Sequence, residues 1–151
     1  MSGRGLGGAQ AEQHITARVR SLGEDDLAAV RANISQGTEQ LVDVRSAGRF
    51  NGVEPEPRPG VRGGHVPGSR NLPFNELVAA DGTMLPPADL QRRIEAAGID
   101  LAHPIVATCG SGTSACALVL ALDVLGRPAG VYDGAWTEWG GRSDTPIDAG
   151  P

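Results

Sequence analysis

Apolar positions along the chain fall into short runs and helical stripes that alternate. Residues 15–19 read as a first short strand. Ser21 and Glu24 have the spacing of a capping box, and Leu27, Val30 and Ile34 continue an apolar face. That pattern predicts a helix ending near Gly37. Leu41, Val42, Asp43 and Val44 read as a buried strand, and residues 69–72 as a further short one. Pro87, Ala88 and Asp89 open a helix through about Ala97, with Leu90, Ile94 and Ala97 at helical spacing and Gly98 as its stop. Ile105 to Thr108 form an apolar run with β-branched residues after Pro104, which suits a buried strand. From Ala115 to Gly126 the chain is apolar nearly all round, as a buried helix is. Residues 130–134 give a last strand and turn, with Trp136 and Trp139 beyond it. Short strands alternating with helices predict an α/β domain. Its centre is a mostly parallel sheet of about five strands, with helices on both faces.

The remaining stretches lack periodicity. Residues 45–68 are dense in Gly and Pro, which excludes regular structure there. A loop this long within a compact domain is functional or disordered. Residues 1–13 are Gly-rich and polar, and predict a disordered arm. The domain proper is expected over 14–140. Residues 141–151, rich in Gly, Asp and Pro, are expected to be a mobile tail.

Composition narrows the function classes. The chain has 151 residues and 40% hydrophobic content, enough for one core. Its net charge is −5, all thirteen basic residues are Arg, and no basic block occurs, so nucleic-acid binding has little support. No apolar run is long enough to span a membrane, and the first ten residues have no apolar core of a secretory leader. A cytoplasmic protein is expected. Cys109 and Cys116 lie seven apart across a loop–helix junction, where a disulfide would tear the helix start. Both are read as reduced, with Cys116 as core filler. His14, His65 and His103 show no metal-ligand spacing with the cysteines, so no metal is expected.

The chemistry concentrates in Cys109-Gly110-Ser111-Gly112-Thr113-Ser114. A strand delivers a cysteine into a glycine-rich turn that opens a helix. Backbone N–H groups at a helix start have no intrahelical partner, and the helix dipole is positive there. Successive N–H groups in such a turn form an anion-binding nest. A thiolate held there is stabilised over the thiol and becomes a nucleophile. The competing reading is a buried structural cysteine at a strand end.

The loop CGSGTSAC resembles the active-site loop of rhodanese-family sulfurtransferases, nearest the mercaptopyruvate sulfurtransferase branch, whose loop reads CGSGVT. Three further stretches carry the same resemblance: LVDVRSAGRFNGVEPEPRPG over 41–60, GHVPGSRNLPF over 64–74 and VYDGAWTEWG over 131–140. Together they cover roughly residues 14–140, and they are similar to the second, catalytic half of the two-domain enzymes. Thr113-Ser114 stands where the branch has Val-Thr, with a hydroxyl kept at the last position. The resemblance implies a rhodanese-like three-layer fold and transfer of sulfane sulfur through a Cys109 persulfide.

On the same footing, Arg49 and Arg58 match two arginines that bind the substrate carboxylate. Guanidinium forks suit a planar carboxylate. From the residues alone, these arginines are equally well solvated, or paired with Glu54 and Glu56. Ser111 either hydrogen-bonds the donor's carbonyl or caps the helix. Gly110, Gly112, Thr113 and Ser114 are expected to cradle the transferred sulfur with their amides. No Arg or Lys lies between Cys109 and Ser114, which suits 3-mercaptopyruvate better than the thiosulfate dianion. No organic cofactor is implied. The implied acceptors are a thiol such as thioredoxin, or cyanide. The implied cover for the site is a second copy of the chain or a separate domain. Arg45 is expected to have a structural carboxylate partner, Asp43 either to anchor the loop by backbone hydrogen bonds or to do chemistry, and His65 to be a structural hydrogen-bonder.

Two other classes compete. A tyrosine phosphatase of the same fold needs an Arg at the end of its cysteine loop, and none occurs here before Arg127. A persulfide carrier or binding module without donor chemistry of its own is the alternative that keeps Cys109.

Overall fold

The computed structural model describes residues 25–110 and 114–150. The expected arm, the first strand over 15–19 and the capping box at Ser21 lie outside them, as do Ser111, Gly112 and Thr113. The described elements are α1 (Asp25–Gln36), β1 (Gln40–Asp43), α2 (Ala47–Asn51), β2 (Arg70–Asn71), a 3₁₀ turn (Phe74–Leu77), α3 (Pro87–Ala96), β3 (Ile105–Thr108), α4 (Ala115–Val124), β4 (Ala129–Val131) and α5 (Ala135–Gly141). Among the described residues the sheet has four strands rather than about five, in the order β2-β1-β3-β4. All three pairings are parallel.

The strands alternate as a doubly covered sheet requires. Val42, Val44, Ile105, Ala107, Ala129 and Val131 face one core, where Leu90 and Ile94 of α3 and Leu118 and Leu122 of α4 meet them. Leu41, Val106 and Tyr132 face the other, packed with Val30 of α1 and with Trp136 and Trp139 of α5. Successive side chains of a strand point to opposite faces, so each four-residue strand feeds both cores. Burying one large apolar side chain contributes about 1.5–3 kcal/mol. The two tryptophans therefore make α5 a structural wall as well as a neighbour of the site.

Register fixes the two ends of the sheet. Gln40 pairs with Ile105, and Ile105 with Ala129, so strand starts lie side by side. Asp43 pairs with Thr108 and with Asn71, so strand ends do too. Arg45 and Cys109 leave the sheet from adjacent strands at that second end.

Three expectations need correction, and one helix was not foreseen. The stretch over 45–68 holds a short helix, α2. Ser46 caps it by accepting from the Arg49 N–H, and Gly52 closes it in a left-handed conformation at φ 80°. Five residues with one apolar anchor, Phe50, leave no periodicity to read. The last helix, α5, was hidden likewise by Gly134, Gly140 and Gly141 at its ends. The segment after 141, expected to be a mobile tail, runs back over the domain. The Asp148 and His65 backbones exchange hydrogen bonds, and the Gly150 N–H donates to Asn51. Thr145 is buried, and the Arg62 guanidinium donates to its carbonyl and hydroxyl and to the Arg142 carbonyl. Cys116, expected to be core filler, is exposed on α4. In a helix apolar on every side, composition cannot tell which side faces out.

Candidate active site

Cys109 follows the last residue of β3 and is buried, 2% exposed. Its carbonyl accepts from the Trp136 N–H at 2.8 Å, and the Gly110 carbonyl accepts from the Thr137 N–H at 3.0 Å. The Thr137 hydroxyl also donates to the Gly110 carbonyl, at 2.6 Å. The first turn of α5 therefore clamps the root of the cysteine loop. Ala135 makes the approach possible at φ 58°, a left-handed conformation costly for a residue with a Cβ. Strain of this kind persists where surrounding contacts over-determine it, and here it is next to the candidate nucleophile.

The opposite wall is a chain of buried charge. Arg45 donates through Nε and Nη2 to Asp43, at 3.0 and 2.7 Å, and through Nη2 to the Gly64 carbonyl at 2.7 Å. Its Nη1 reaches Glu56 at 3.2 Å, and its guanidinium lies 4.5 Å from the Trp136 ring centre. The Arg45 N–H also donates to Asp43. Arg45 thus has the structural carboxylate expected of it, and of the two roles open to Asp43 its contacts are those of a loop anchor.

Glu56 is 3% exposed in its side chain and links this pair to Arg49. Arg49 donates to it through Nε at 3.1 Å and Nη2 at 2.7 Å, a bidentate contact. The hydrogen bond to Glu56 raises the Arg49 pKa above its ordinary value. Desolvation opposes the shift, while the charges of Glu56, Asp43 and Cys109 reinforce it. Arg49 is therefore paired with Glu56, one of the two partners its sequence neighbourhood offered, and it lines the same cleft as Gly110. Glu54 instead accepts from the Ser46 hydroxyl.

A cleft of about 260 Å³ opens between the two walls, lined among others by Arg49, Glu56, Arg58, Gly110, Ser114 and Thr137. Gly110 is close to Arg49: a Cβ there would lie 2.7 Å from Nη2. The guanidinium thus rests against the residue after Cys109, and glycine leaves it the room. Arg58 is exposed and reaches the cleft from its rim. Ser114 lies in helical conformation at φ −73° and makes no side-chain cap bond. Of the expected site residues, Cys109, Gly110, Ser114, Arg49 and Arg58 are brought together, while Ser111, Gly112 and Thr113 lie outside the described residues. The sequence reading missed Glu56 and Thr137 as site residues. Glu56 was visible only as a possible ion-pair partner, and Thr137 is one hydroxyl between two tryptophans.

His65 is structural as expected. Its Nδ1 is 2.7 Å from the Phe50 carbonyl, and its ring stacks on Phe50 at 3.8 Å. Trp136 and Trp139 are core residues, though Trp136 carries Arg45 on its face. Among the described residues no helix is long and apolar enough to cross a membrane.

The family model of the rhodanese-like domain matches residues 26–142. The 3-mercaptopyruvate sulfurtransferase of Rattus norvegicus is 47% identical over 108 residues, covering 71% of this chain and 36% of that protein. The mitochondrial thiosulfate/3-mercaptopyruvate sulfurtransferase 1 of Arabidopsis thaliana is 43% identical over 121 residues, covering 80% of this chain and 32% of its own. Among solved structures, the Tum1 protein from Saccharomyces cerevisiae superposes with a TM-score of 0.73 at 30% identity, covering 88% of this chain and 46% of that one. The chain spans about a third of the length of the curated relatives it matches. With the family model matching most of its length, and with the cysteine at the end of a parallel strand under helices on both faces, the chain belongs to the rhodanese-like domain family.

Proposed function

We propose that this domain is a sulfurtransferase acting on 3-mercaptopyruvate, with thiosulfate as a poorer donor. The observation that carries the reading is the Arg49 guanidinium, held by Glu56 and resting against Gly110, the residue after Cys109. A guanidinium fork of this shape beside a cysteine supports a donor that carries a carboxylate. Arg58, at the cleft rim, offers a second positive charge to the same carboxylate. The curated relatives named above carry sulfurtransferase names, and the residues matched by the rhodanese-like family model, 26–142, include those of this cleft.

In the proposed reaction the Cys109 thiolate attacks the sulfur of 3-mercaptopyruvate. An S–S bond forms, the C–S bond breaks, and its electron pair passes to carbon as the pyruvate enolate. The enolate takes a proton and leaves as pyruvate, while Cys109 is left as a persulfide. The amides from Gly110 to Ser114 are assigned to its terminal sulfur, and Ser111 to the donor carbonyl. A thiolate acceptor then attacks the terminal sulfur and returns Cys109 to thiolate. With a dithiol such as reduced thioredoxin, a second attack forms the acceptor disulfide and releases sulfide. With cyanide the product is thiocyanate. A cytoplasmic setting, with its reduced dithiols, suits this cycle.

The test compares wild type with Cys109→Ser. Wild type should release pyruvate from 3-mercaptopyruvate and gain the mass of one sulfur atom on Cys109, with ping-pong kinetics. The serine variant should do neither. Pyruvate release that survives the substitution would overturn the reading. A sulfur adduct formed only from a protein persulfide donor would replace it with a carrier role.

A further inference from the structure

The cleft's charges do not simply add up to an anion trap. Asp43 and Glu56 are buried against Arg45 and Arg49, so two carboxylates offset two guanidiniums. Arg58 makes no ion pair among the described residues and lines the same cleft, so Arg58 and the Cys109 thiolate of the proposed reaction carry the charge these pairs leave over. Glu56 makes two of these pairs. It takes Nε and one N–H of Nη2 from Arg49. A donor is therefore left with Nη1 and the remaining N–H of Nη2, on the side that lies against Gly110.

Resting on the sulfur-transfer reading above, we propose that Glu56 determines donor specificity. It fixes which edge of Arg49 meets the donor, and it takes one positive charge off the walls, so that a monoanionic donor is preferred over a dianionic one. The argument is electrostatic. Both partners of the Glu56–Arg49 pair are largely withdrawn from water, and a charge there is weakly screened at the few ångströms separating it from a bound donor. Thiosulfate carries two negative charges into the field of Glu56 and 3-mercaptopyruvate carries one, so the carboxylate weighs more heavily against thiosulfate. Glu56 touches neither the sulfur nor the donor in this scheme, so it is a positioning residue.

Two variants separate its two effects. Glu56→Gln keeps the size and one acceptor but removes the charge. The ratio of kcat/KM for thiosulfate to that for 3-mercaptopyruvate should rise about tenfold, as expected for one added charge at partly screened distance. Glu56→Asp keeps the charge but withdraws it by one methylene. It should raise the KM for 3-mercaptopyruvate severalfold, leave kcat within about twofold and leave the donor ratio near that of wild type. Glu54→Gln, an exposed acid two residues away, is the control and should change neither quantity. A donor ratio unmoved by Glu56→Gln, in a variant whose circular dichroism matches wild type, would overturn the charge assignment. A KM unmoved by Glu56→Asp would overturn the positioning, and that variant decides the matter if the glutamine protein does not fold. Wild type that transfers sulfur from neither donor would instead sink the sulfur-transfer reading.

Discussion

The sheet has a cavity at each end, and the larger one is not the candidate site. At the strand starts a hollow of about 470 Å³ lies among Leu101, Pro104, Ile105, Pro128 and Ala129, with His103 and Arg127 at its edge. At the strand ends the cleft beside Cys109 measures about 260 Å³. The difference lies in how charge is held. His103 pairs with Asp100 at the strand starts, but their side chains are 66% and 57% exposed. The Asp100 pKa sits below its ordinary value, first because the Ala102 N–H donates to it and then because of His103, with solvent all around. At the strand ends, Arg45, Asp43 and Glu56 are nearly sealed from water and fully paired. Burying such groups costs free energy that ion pairing offsets only with good geometry. Parallel sheets also gather loops, and hence chemistry, at the carboxyl ends of their strands. Volume alone would have picked the other end.

The most severe way to test this contrast, short of removing Cys109 itself, is to remove the fork. Arg49→Ala should lower kcat/KM for 3-mercaptopyruvate by roughly ten- to a hundredfold, the loss expected when a charged hydrogen-bonding group is deleted. Glu56 would keep Arg45 as partner, so the fold should survive. Arg49→Lys should recover little, because an ammonium cannot occupy Glu56 and face the donor with the same planar fork. Arg58→Ala should cost less, about tenfold at most, since that side chain is exposed. Steady-state pyruvate release measures all three. A larger loss at Arg58 than at Arg49 would move the carboxylate site to the rim.

The same contrast explains what could be read from the chain beforehand. β3, α4 and the loop joining them announce themselves by a switch from a β-branched run to small residues to an apolar helix. The alternation of Leu41 against Val42 and Val44, and of Val106 against Ile105 and Ala107, is the two-faced sheet written in order. Glu56 carries no such sign. Its role depends on Arg45, eleven residues earlier, being folded beneath it. The short helix α2 that presents Arg49 has too few residues for a period, and Ala135 gives no hint of its left-handed backbone. Cys116 shows the opposite failure. Its setting in the sequence is apolar, and only packing decides that it faces outward. Periodic burial is legible residue by residue, whereas a site assembled from loops is legible only through the contacts it makes.

A gentler test works on one atom. Gly110 does not have the positive φ that would strain an alanine, but the new Cβ would meet Arg49 Nη2 at 2.7 Å. The end of a long side chain can yield at small cost, so Gly110→Ala should melt within a few degrees of wild type. Arg49 would be pushed from its seat beside Cys109. The KM for 3-mercaptopyruvate should rise by about three- to tenfold, since misplacing a binding group weakens binding without removing it. Equal kinetics in the two proteins would mean that the donor does not use this edge of Arg49.

The smallest effect belongs to the other end of the sheet. The double substitution His103→Ala, Arg127→Ala removes the two basic side chains from the edge of the 470 Å³ hollow and leaves Glu39. The ion pair lost there is exposed, and such pairs contribute little because water screens them and two side chains must be held still. Arg127 also makes no salt bridge among the described residues. The variant should keep kcat/KM within about twofold of wild type for both donors, and its melting temperature within about 3 °C. Salt should hardly change the comparison, because little charge interaction remains to be screened. If instead the double variant lost activity as Arg49→Ala does, charge at the strand starts would be coupled to the cysteine. The separation of the two ends, on which the assignment of the site depends, would then fail.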